Sequence, residues 1–593
     1  MSWEVLTMRS ATSFFNPALA RSDLRRYWPA LFLYVGLWII FLPVQLWLMA
    51  HQGYVPAPDL GVICSDRYIA AVIMALIFGG MMAMASFSYL MNPRSVGAMH
   101  ALPQRRGTLF WTHFLTGWGM LAAGNLLVAG NLLVALLTAG IALLTGVKLT
   151  AALLTWLVVV TLLDLFFMAL GTFCAMITGW LLAVPVLYGV ANTLALIVTW
   201  LGQQLADGLL LGYAPPDALP RLTVWLTPVY RLIQELGQIR EKFYNISSQA
   251  NADYPSGLAP NGWRAVLLYT AVALVLLALS RLLYARRKSE LSGDPAAFSW
   301  VRPVFRLGVG LIGGLALGLA LYGLVLAGLS FSVPRLCVCI ALMGALCYLG
   351  ASMLVGKTLR VLPKRLTGAA VTALVLVLLC VVLRADVFGY RTRVPQAEKV
   401  SSVQVIYLDS TFTLTEPESI QTMVDAQSTL ARNDIVGRKI DMGDQTIRVT
   451  YTLKNGSSTA RRFVVNISGE VQAALSRVVG LEEVQSNVLF NKRNVPESWK
   501  PRGGTLWVNA IGEERELTAE EAQTLYDAAW RDIHAGNVLL AKGLDVNWTV
   551  LEISFQGDRD AYSISSPRTS CTELMQALRD LGLSDSDMTG SMD

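Results

Sequence analysis

The chain has 593 residues, 54% of them hydrophobic and only 15% charged, with a mean hydropathy of +0.50. A soluble globular protein carries about 25% charged and about 45–50% apolar residues, so this composition excludes a soluble enzyme, a secreted disulfide scaffold and a disordered tail protein. The net charge of +6 conceals an asymmetry: residues 1–384 hold 26 Lys and Arg against 12 Asp and Glu, and residues 385–593 hold 21 against 29. The first part reads as a polytopic α-helical membrane protein, the second as a water-soluble domain of ordinary size.

Crossing a hydrocarbon core takes about 20 mostly apolar residues. Nine stretches are predicted to span: 28–50, 68–91, 109–145, 151–178, 180–201, 263–284, 307–330, 335–354 and 367–384. The third is too long for one straight crossing, and only a tight turn near Thr178-Gly179 separates the fourth from the fifth. The first apolar run follows Arg21, Arg25 and Arg26 and is span-length, which does not fit a signal peptide. Residues 3–22 read as an interfacial helix with Trp3, Leu6, Phe14 and Phe15 toward lipid, interrupted at Pro17. Segments 1–26, 92–108, 285–306 and 355–366 hold 16 basic residues and four acids, whereas loops 51–67, 146–150, 202–262 and 331–335 hold seven of each. The positive-inside rule makes the first set cytoplasmic, and nine spans then put the C-terminal domain outside. Within 202–262, Val224–Phe243 has helical periodicity and Pro228 is placed to start the helix.

From about residue 399 the pattern changes to that of an α+β domain. Val403, Val405 and Tyr407 alternate as in a strand, and Glu416–Arg432 has a helical stripe of Ile420, Met423, Val424 and Leu430. Two strand-like runs flank the hairpin signal Lys454-Asn455-Gly456-Ser457. A weaker second round follows, with strands at Leu506–Ala510 and Val550–Phe555. It also has a helix at Thr518–His534 opened by a capping box (Thr518, Glu521), and a closing helix at Thr572–Leu581. The pattern is that of two related α+β modules. His534 reads as a helix C-terminal residue, and Glu513-Glu514-Arg515-Glu516 as a solvated loop.

Seven cysteines form no framework: Cys64 and Cys571 lie outside the apolar runs, and Cys174, Cys337, Cys339, Cys347 and Cys380 fall inside them. With Cys571 alone in the soluble part, no internal disulfide is possible there. The four histidines are scattered, and no metal-ligand spacing is present. Gly356-Lys357-Thr358 looks like the end of a phosphate-binding loop, but that loop needs Gly at 351, where this chain has Ala351, and a preceding strand. Leu291-Ser292-Gly293 lacks a surrounding nucleotide domain. No cofactor is expected in this chain.

The most informative stretch runs from Ser86 to Phe110. It places a short, basic, acid-free amphipathic turn between two spans, with Val96, Met99 and Leu102 able to share one helical face and Pro103 ending the element. Such a turn is either a knob for a cytosolic partner or a bare positive-inside loop. This stretch, together with Phe14-Phe-Asn-Pro-Ala-Leu, Asp23-Leu-Arg-Arg-Tyr-Trp-Pro29 and Leu226-Thr-Pro-Val-Tyr-Arg-Leu232, resembles the ABC-2-type permeases of Gram-positive bacteria, the membrane subunits of ATP-binding-cassette transporters. Tyr451-Thr-Leu-Lys-Asn-Gly456 adds a looser resemblance to a subgroup with extra spans and an extracytoplasmic C-terminal domain. The resemblance implies an elbow helix within 1–27, a six-span core at 28–284, a cytoplasmic linker at 285–306, three additional spans at 307–384 and an extracytoplasmic α+β domain at 385–593. It also implies that 92–106 is the coupling helix seated in a separate ATPase, through Arg94, Val96, Met99, His100, Leu102, Pro103, Arg105 and Arg106.

Asp164 is the only acid in the middle of a span. At the bilayer centre such a residue costs ~2.5–3.5 kcal/mol on translocon scales, so it should face protein or water. It reads either as part of a substrate path or subunit contact, or as a packing residue partnered by Asn125, Asn131 or Asn192. The leading expectation is a plasma-membrane permease subunit, not itself an enzyme, exporting a lipid-like, peptide or glycan substrate. Its expected partners are cytosolic ATPase subunits holding ATP-Mg, a second permease copy or homologue, and membrane lipids, with no nucleic acid. The alternatives are an ATPase-driven mechanotransmission complex acting through the outer domain, and an ATPase-free membrane receptor.

Overall fold

A computed structural model describes residues 14–44, 47–48, 68–138, 142–210, 212–216, 218–236, 260–288, 292–295, 297–326, 332–387, 389–390, 393–434, 444–467, 469–491, 495–508, 512–542, 549–558 and 560–589. Trp3, Leu6, Cys64, the loop 51–67 and residues 237–243 of the expected outer helix lie outside them. The chain divides into two compact units. One comprises Met1–Trp200, Leu219–Gly314 and Met343–Thr372; the other comprises Leu201–Ala218, Leu315–Leu342 and Ala373–Asp593.

The helices, in chain order, are α1 (Pro17–Ile39), α2 (Tyr68–Phe87), α3 (Pro93–His100), α4 (Arg106–Thr138), α5 (Ala142–Ile177), α6 (Ala183–Leu209), α7 (Arg221–Leu226), α8 (Pro260–Arg286), α9 (Val301–Val325), α10 (Val333–Gly356) and α11 (Leu362–Arg384). Among the described residues, eight helices are long and apolar enough to cross a membrane, the architecture of a polytopic membrane protein. The third expected span, 109–145, corresponds to helix α4, which is not among those eight. Helix α4 buries Thr108, Thr112, His113, Thr116 and Asn125.

Three further expectations change. Pro17 does not interrupt a helix but opens one: Asn16 caps α1 by accepting from the amides of Ala18 and Leu19, and proline suits the first helical turn because its missing N–H is not needed there. Residues 17–27 therefore continue into the first span and are not a separate elbow. The expected loop 146–150 lies inside α5. The expected helix Val224–Phe243 is broken at Thr227, between α7 and a second helical stretch over 228–236 that Pro228 does open.

In the first unit, α2 packs along α5, α5 along α8, and α1 along α4. Small residues permit the α2–α5 approach: a Cβ on Gly79 would stand 2.9 Å from the Met168 amide nitrogen, and one on Gly171 would stand 2.8 Å from Cβ of Ala83. Without a hydrophobic drive between helices in lipid, such close backbone packing supplies the association. The expected turn between α5 and α6 is held by paired bonds, Gly179 N–H to Asp294 C=O at 2.8 Å and Gly293 N–H to Gly179 C=O at 2.7 Å.

The α+β region holds two antiparallel sheets of the same topology. In the first, β1 (Val400–Tyr407), β2 (Ser410–Leu414), β3 (Asp444–Leu453) and β4 (Ser458–Asn466) are ordered β2-β1-β3-β4. In the second, β5 (Gly503–Val508), β6 (Glu513–Leu517), β7 (Leu551–Gln556) and β8 (Ala561–Ser565) are ordered β6-β5-β7-β8. Each sheet has one helix between its two hairpins, α12 (Pro417–Arg432) or α15 (Ala519–Ala535). Helices α13 (Gly469–Val479) and α14 (Glu482–Leu489) follow β4, and α16 (Thr572–Asp580) and α17 (Asp585–Thr589) follow β8.

The two expected modules are thus present as a repeat of strand order. The Thr518–Glu521 capping box forms, and Gly456, at φ +80°, takes the left-handed position of the β3–β4 turn. The Glu513–Glu516 segment is corrected: it is edge strand β6, paired with β5. His534 lies in the last turn of α15, as expected.

Candidate functional site

Helix α3 is built by local chemistry. Asn92 caps it by accepting from the Arg94 amide at 3.0 Å, and Pro93 occupies the first turn. Val96 is its buried anchor at 2% exposure, and Met99 packs against the core of the first unit. Burying one valine side chain stabilises this seat by about 1.5–3 kcal/mol. Leu102 does not share that face: the helix ends at His100, and Leu102 lies beyond it at 42% exposure. Pro103 is exposed in the segment leading to α4.

His100 ties α3 to two spans. Its Nε2 lies 3.4 Å from the Tyr284 hydroxyl of α8, which lies 2.9 Å from the Tyr89 hydroxyl. Burial, then Arg106 and Arg287, push the imidazole below its ordinary value of 6.5, which favours the neutral ring that can accept from Tyr284. Arg287, 5% exposed, donates to the carbonyls of Ala175 (2.8 Å), Met176 (3.2 Å) and Leu90 (3.1 Å). It thereby satisfies helix-end acceptors that would otherwise be orphaned. Burial lowers this guanidinium to about 10, which leaves it charged at neutral pH.

The expected coupling residues separate into two groups. Arg106, also exposed, turns back to the carbonyls of Ala285 (3.1 Å) and Arg287 (2.9 Å) and so holds the end of α8. Arg94 and Arg105 are exposed. The result is a short ledge, buried through Val96 and presenting two cations outward.

Asp164 is fully buried in α5. Asn125 donates to its Oδ2 at 2.8 Å and Tyr34 at 3.0 Å, while the Tyr34 hydroxyl lies 2.7 Å from Asn125 Oδ1. Asn125 also reaches Thr161 Oγ1 at 3.3 Å. Asn131 and Asn192 are not partners: each donates to a carbonyl four residues back on its own helix, Leu127 and Tyr188. The sequence reading missed Tyr34. It also missed a second buried pair, His113 Nδ1 with Asp23 Oδ2 at 2.6 Å.

Between α2 and α6 runs a groove of about 520 Å³, lined mainly by apolar groups, including Leu76, Met81, Met84, Val184 and Pro185. Tyr188, Asn192 and Thr193 are its polar members; Asn192 is 2% exposed, and its Oδ1 has no hydrogen-bond partner among the described residues. No group of His, Cys, Asp and Glu among the described residues could hold a metal ion. Compared with known proteins, the chain matches no family model, no curated protein and no solved structure.

Proposed function

We propose that this chain is the membrane subunit of an ATP-driven transporter whose ATPase is a separate cytosolic polypeptide, in line with the resemblance to ABC-2-type permeases. One observation carries the reading. Helix α3 is capped, anchored by Val96 and wired through His100 and Tyr284 to the ends of α2 and α8, and it still presents Arg94 and Arg105 outward. A bare connecting loop has no need of such a seat, whereas a ledge that receives force from a partner does.

In this reading the α3 side is cytoplasmic and the α+β region extracytoplasmic. A second copy or homologue completes the permease. The α2–α6 groove favours a lipid-like export substrate, because an apolar chain fits its walls and an N–H or O–H donor on the substrate would satisfy Asn192 Oδ1. Asp164, held through Oδ2 by Tyr34 and Asn125 of the same copy, acts as packing and not as a path residue. The test is charge reversal at Arg94 and Arg105 together. The double Glu variant should retain about a tenth or less of the wild-type ATPase on co-purification while its thermal melt stays unchanged. Full retention would sink the assignment.

A second reading, mechanical transmission without a substrate path, draws on one specific observation. Residues 201–218, which begin within α6, are bonded directly to the first sheet. Asp207 pairs with Arg462 at 2.6 Å, Tyr213 bridges Arg461, and Gly212 N–H donates to Asp434 at 3.0 Å. A span that moved would pull on that sheet.

A further inference from the structure

The two sheets share a topology but not a surface. Register places equivalent residues in one row across each open face, the face turned away from its helices. In the first sheet the row is Thr411, Ile406, Arg448 and Arg462; in the second it is Glu514, Trp507, Glu552 and Ser565. The first row is already engaged by the chain itself, because Arg448 donates to the Pro215 carbonyl at 3.0 Å and Arg462 pairs with Asp207.

In the second row Ser565 accepts from Asn491 at 2.9 Å, and the other three members are exposed. Trp507, on a central strand, is 39% exposed, and Glu514, Glu516 and Glu552 are exposed. No described Lys or Arg forms an ion pair with these carboxylates, and no described cation lies over the indole. Trp507 thus stands on a central strand with a glutamate on each side and part of its ring in solvent.

We propose that the open face of the second sheet is a docking surface for a cationic peptide segment, one in which Lys or Arg side chains flank an apolar residue. The spacing supports that chemistry. Neighbouring strands lie about 4.8 Å apart, so the backbone positions of Glu514 and Glu552 stand roughly 10 Å apart across Trp507. Glu514 and Glu516, two residues apart on β6, are separated by about 6.8 Å, the repeat of alternate side chains in an extended peptide. Trp507 offers both apolar contact and a ring face for a cation. The excess of acids in residues 385–593, 29 against 21 bases, favours the same partner. The sister sheet, whose equivalent face already holds a chain segment, supplies the precedent within this molecule. The proposal stands on module geometry and is independent of the transporter reading.

The test uses the full chain in nanodiscs of zwitterionic lipid and a dye-labelled nonapeptide alternating lysine and leucine, read by fluorescence anisotropy against empty discs. Binding above the empty-disc blank should weaken with salt and fall about tenfold in E514Q/E552Q. In W507A it should fall about threefold. E398Q/E470Q, an equal loss of charge at exposed sites elsewhere in the region, should bind as wild type does, and all variants should keep the wild-type melting profile. No binding by the wild type overturns the proposal, as does equal weakening in the two double variants. Equal binding of a peptide with glutamate in place of lysine overturns it too.

Discussion

Asp164 in the spans and Asp532 in the α+β region are both buried carboxylates, and the two parts of the molecule satisfy them with different donors. Asp532 is held by backbone: it accepts from the amides of Leu574 (2.8 Å) and Glu573 (3.2 Å), the first turn of α16, and from Asn537 at 2.9 Å. Asp164 is held only by side chains, Tyr34 and Asn125. The difference follows from the solvent. A spanning helix spends every backbone N–H on itself because lipid offers no substitute, so a buried acid there depends on hydroxyl and amide side chains from neighbouring helices. In a water-side domain, helix ends with free amides can be turned toward the acid. Glu483 follows the second pattern, accepting from the amides of Thr415 and Glu416.

Perturbing the two acids should therefore give unequal losses. Asp532→Ala strands two amides at the start of α16, and hydrogen bonds to charged groups contribute about 1.5–3 kcal/mol each. We expect a loss of about 3 kcal/mol, read as faster amide exchange across Thr572–Asp580 in the full chain. Asp164→Ala should cost less, about 1–2 kcal/mol, because interhelical polar bonds in membranes are individually weak; unfolding in mixed detergent micelles measures it. A larger loss for Asp164→Ala than for Asp532→Ala would break the comparison. Tyr34→Phe, which removes one hydroxyl and leaves Asn125 on Asp164, should cost about 0.6 kcal/mol in the same assay.

The smallest effect is a slope. Burial, opposed by the bonds from Asn537, Leu574 and Glu573, raises the Asp532 carboxyl above its ordinary 3.8. The folded state therefore keeps this proton to higher pH than the unfolded state. Its contribution to stability is full below 3.8 and falls as pH rises from there through the folded value. Asp532→Asn should remove that segment of the stability profile, which begins near 3.8 and runs to higher pH. An unchanged profile would show that the acid is solvated in the folded chain.

The legible parts of this molecule are those in which each residue announces its own environment. The apolar spans, the Lys454–Ser457 hairpin and the Thr518 capping box depend on composition and short spacings. Edge strand β6 was not legible, because Glu513–Leu517 has one apolar residue in five and its pairing with β5 comes from distant chain. The role of Arg106 was hidden for a related reason: a basic residue after a turn looks the same whether it faces a partner or caps the end of a helix 180 residues away. The Asp164 cluster was half legible. Asn125 was named as a candidate, whereas Tyr34, 130 positions earlier, looked like an ordinary aromatic in a span. Long-range side-chain bonds leave no local periodicity, and helix packing alone decides which polar residues meet.

The central claim is that α3 is a ledge for a separate ATPase, and purification of the tagged chain from its native membranes in mild detergent tests it most directly. Mass spectrometry and a nucleotide-hydrolysis assay on that preparation should reveal a stoichiometric ATP-binding-cassette subunit with ATPase activity. A chain that emerges alone across several detergents, with no hydrolysis, would contradict the account.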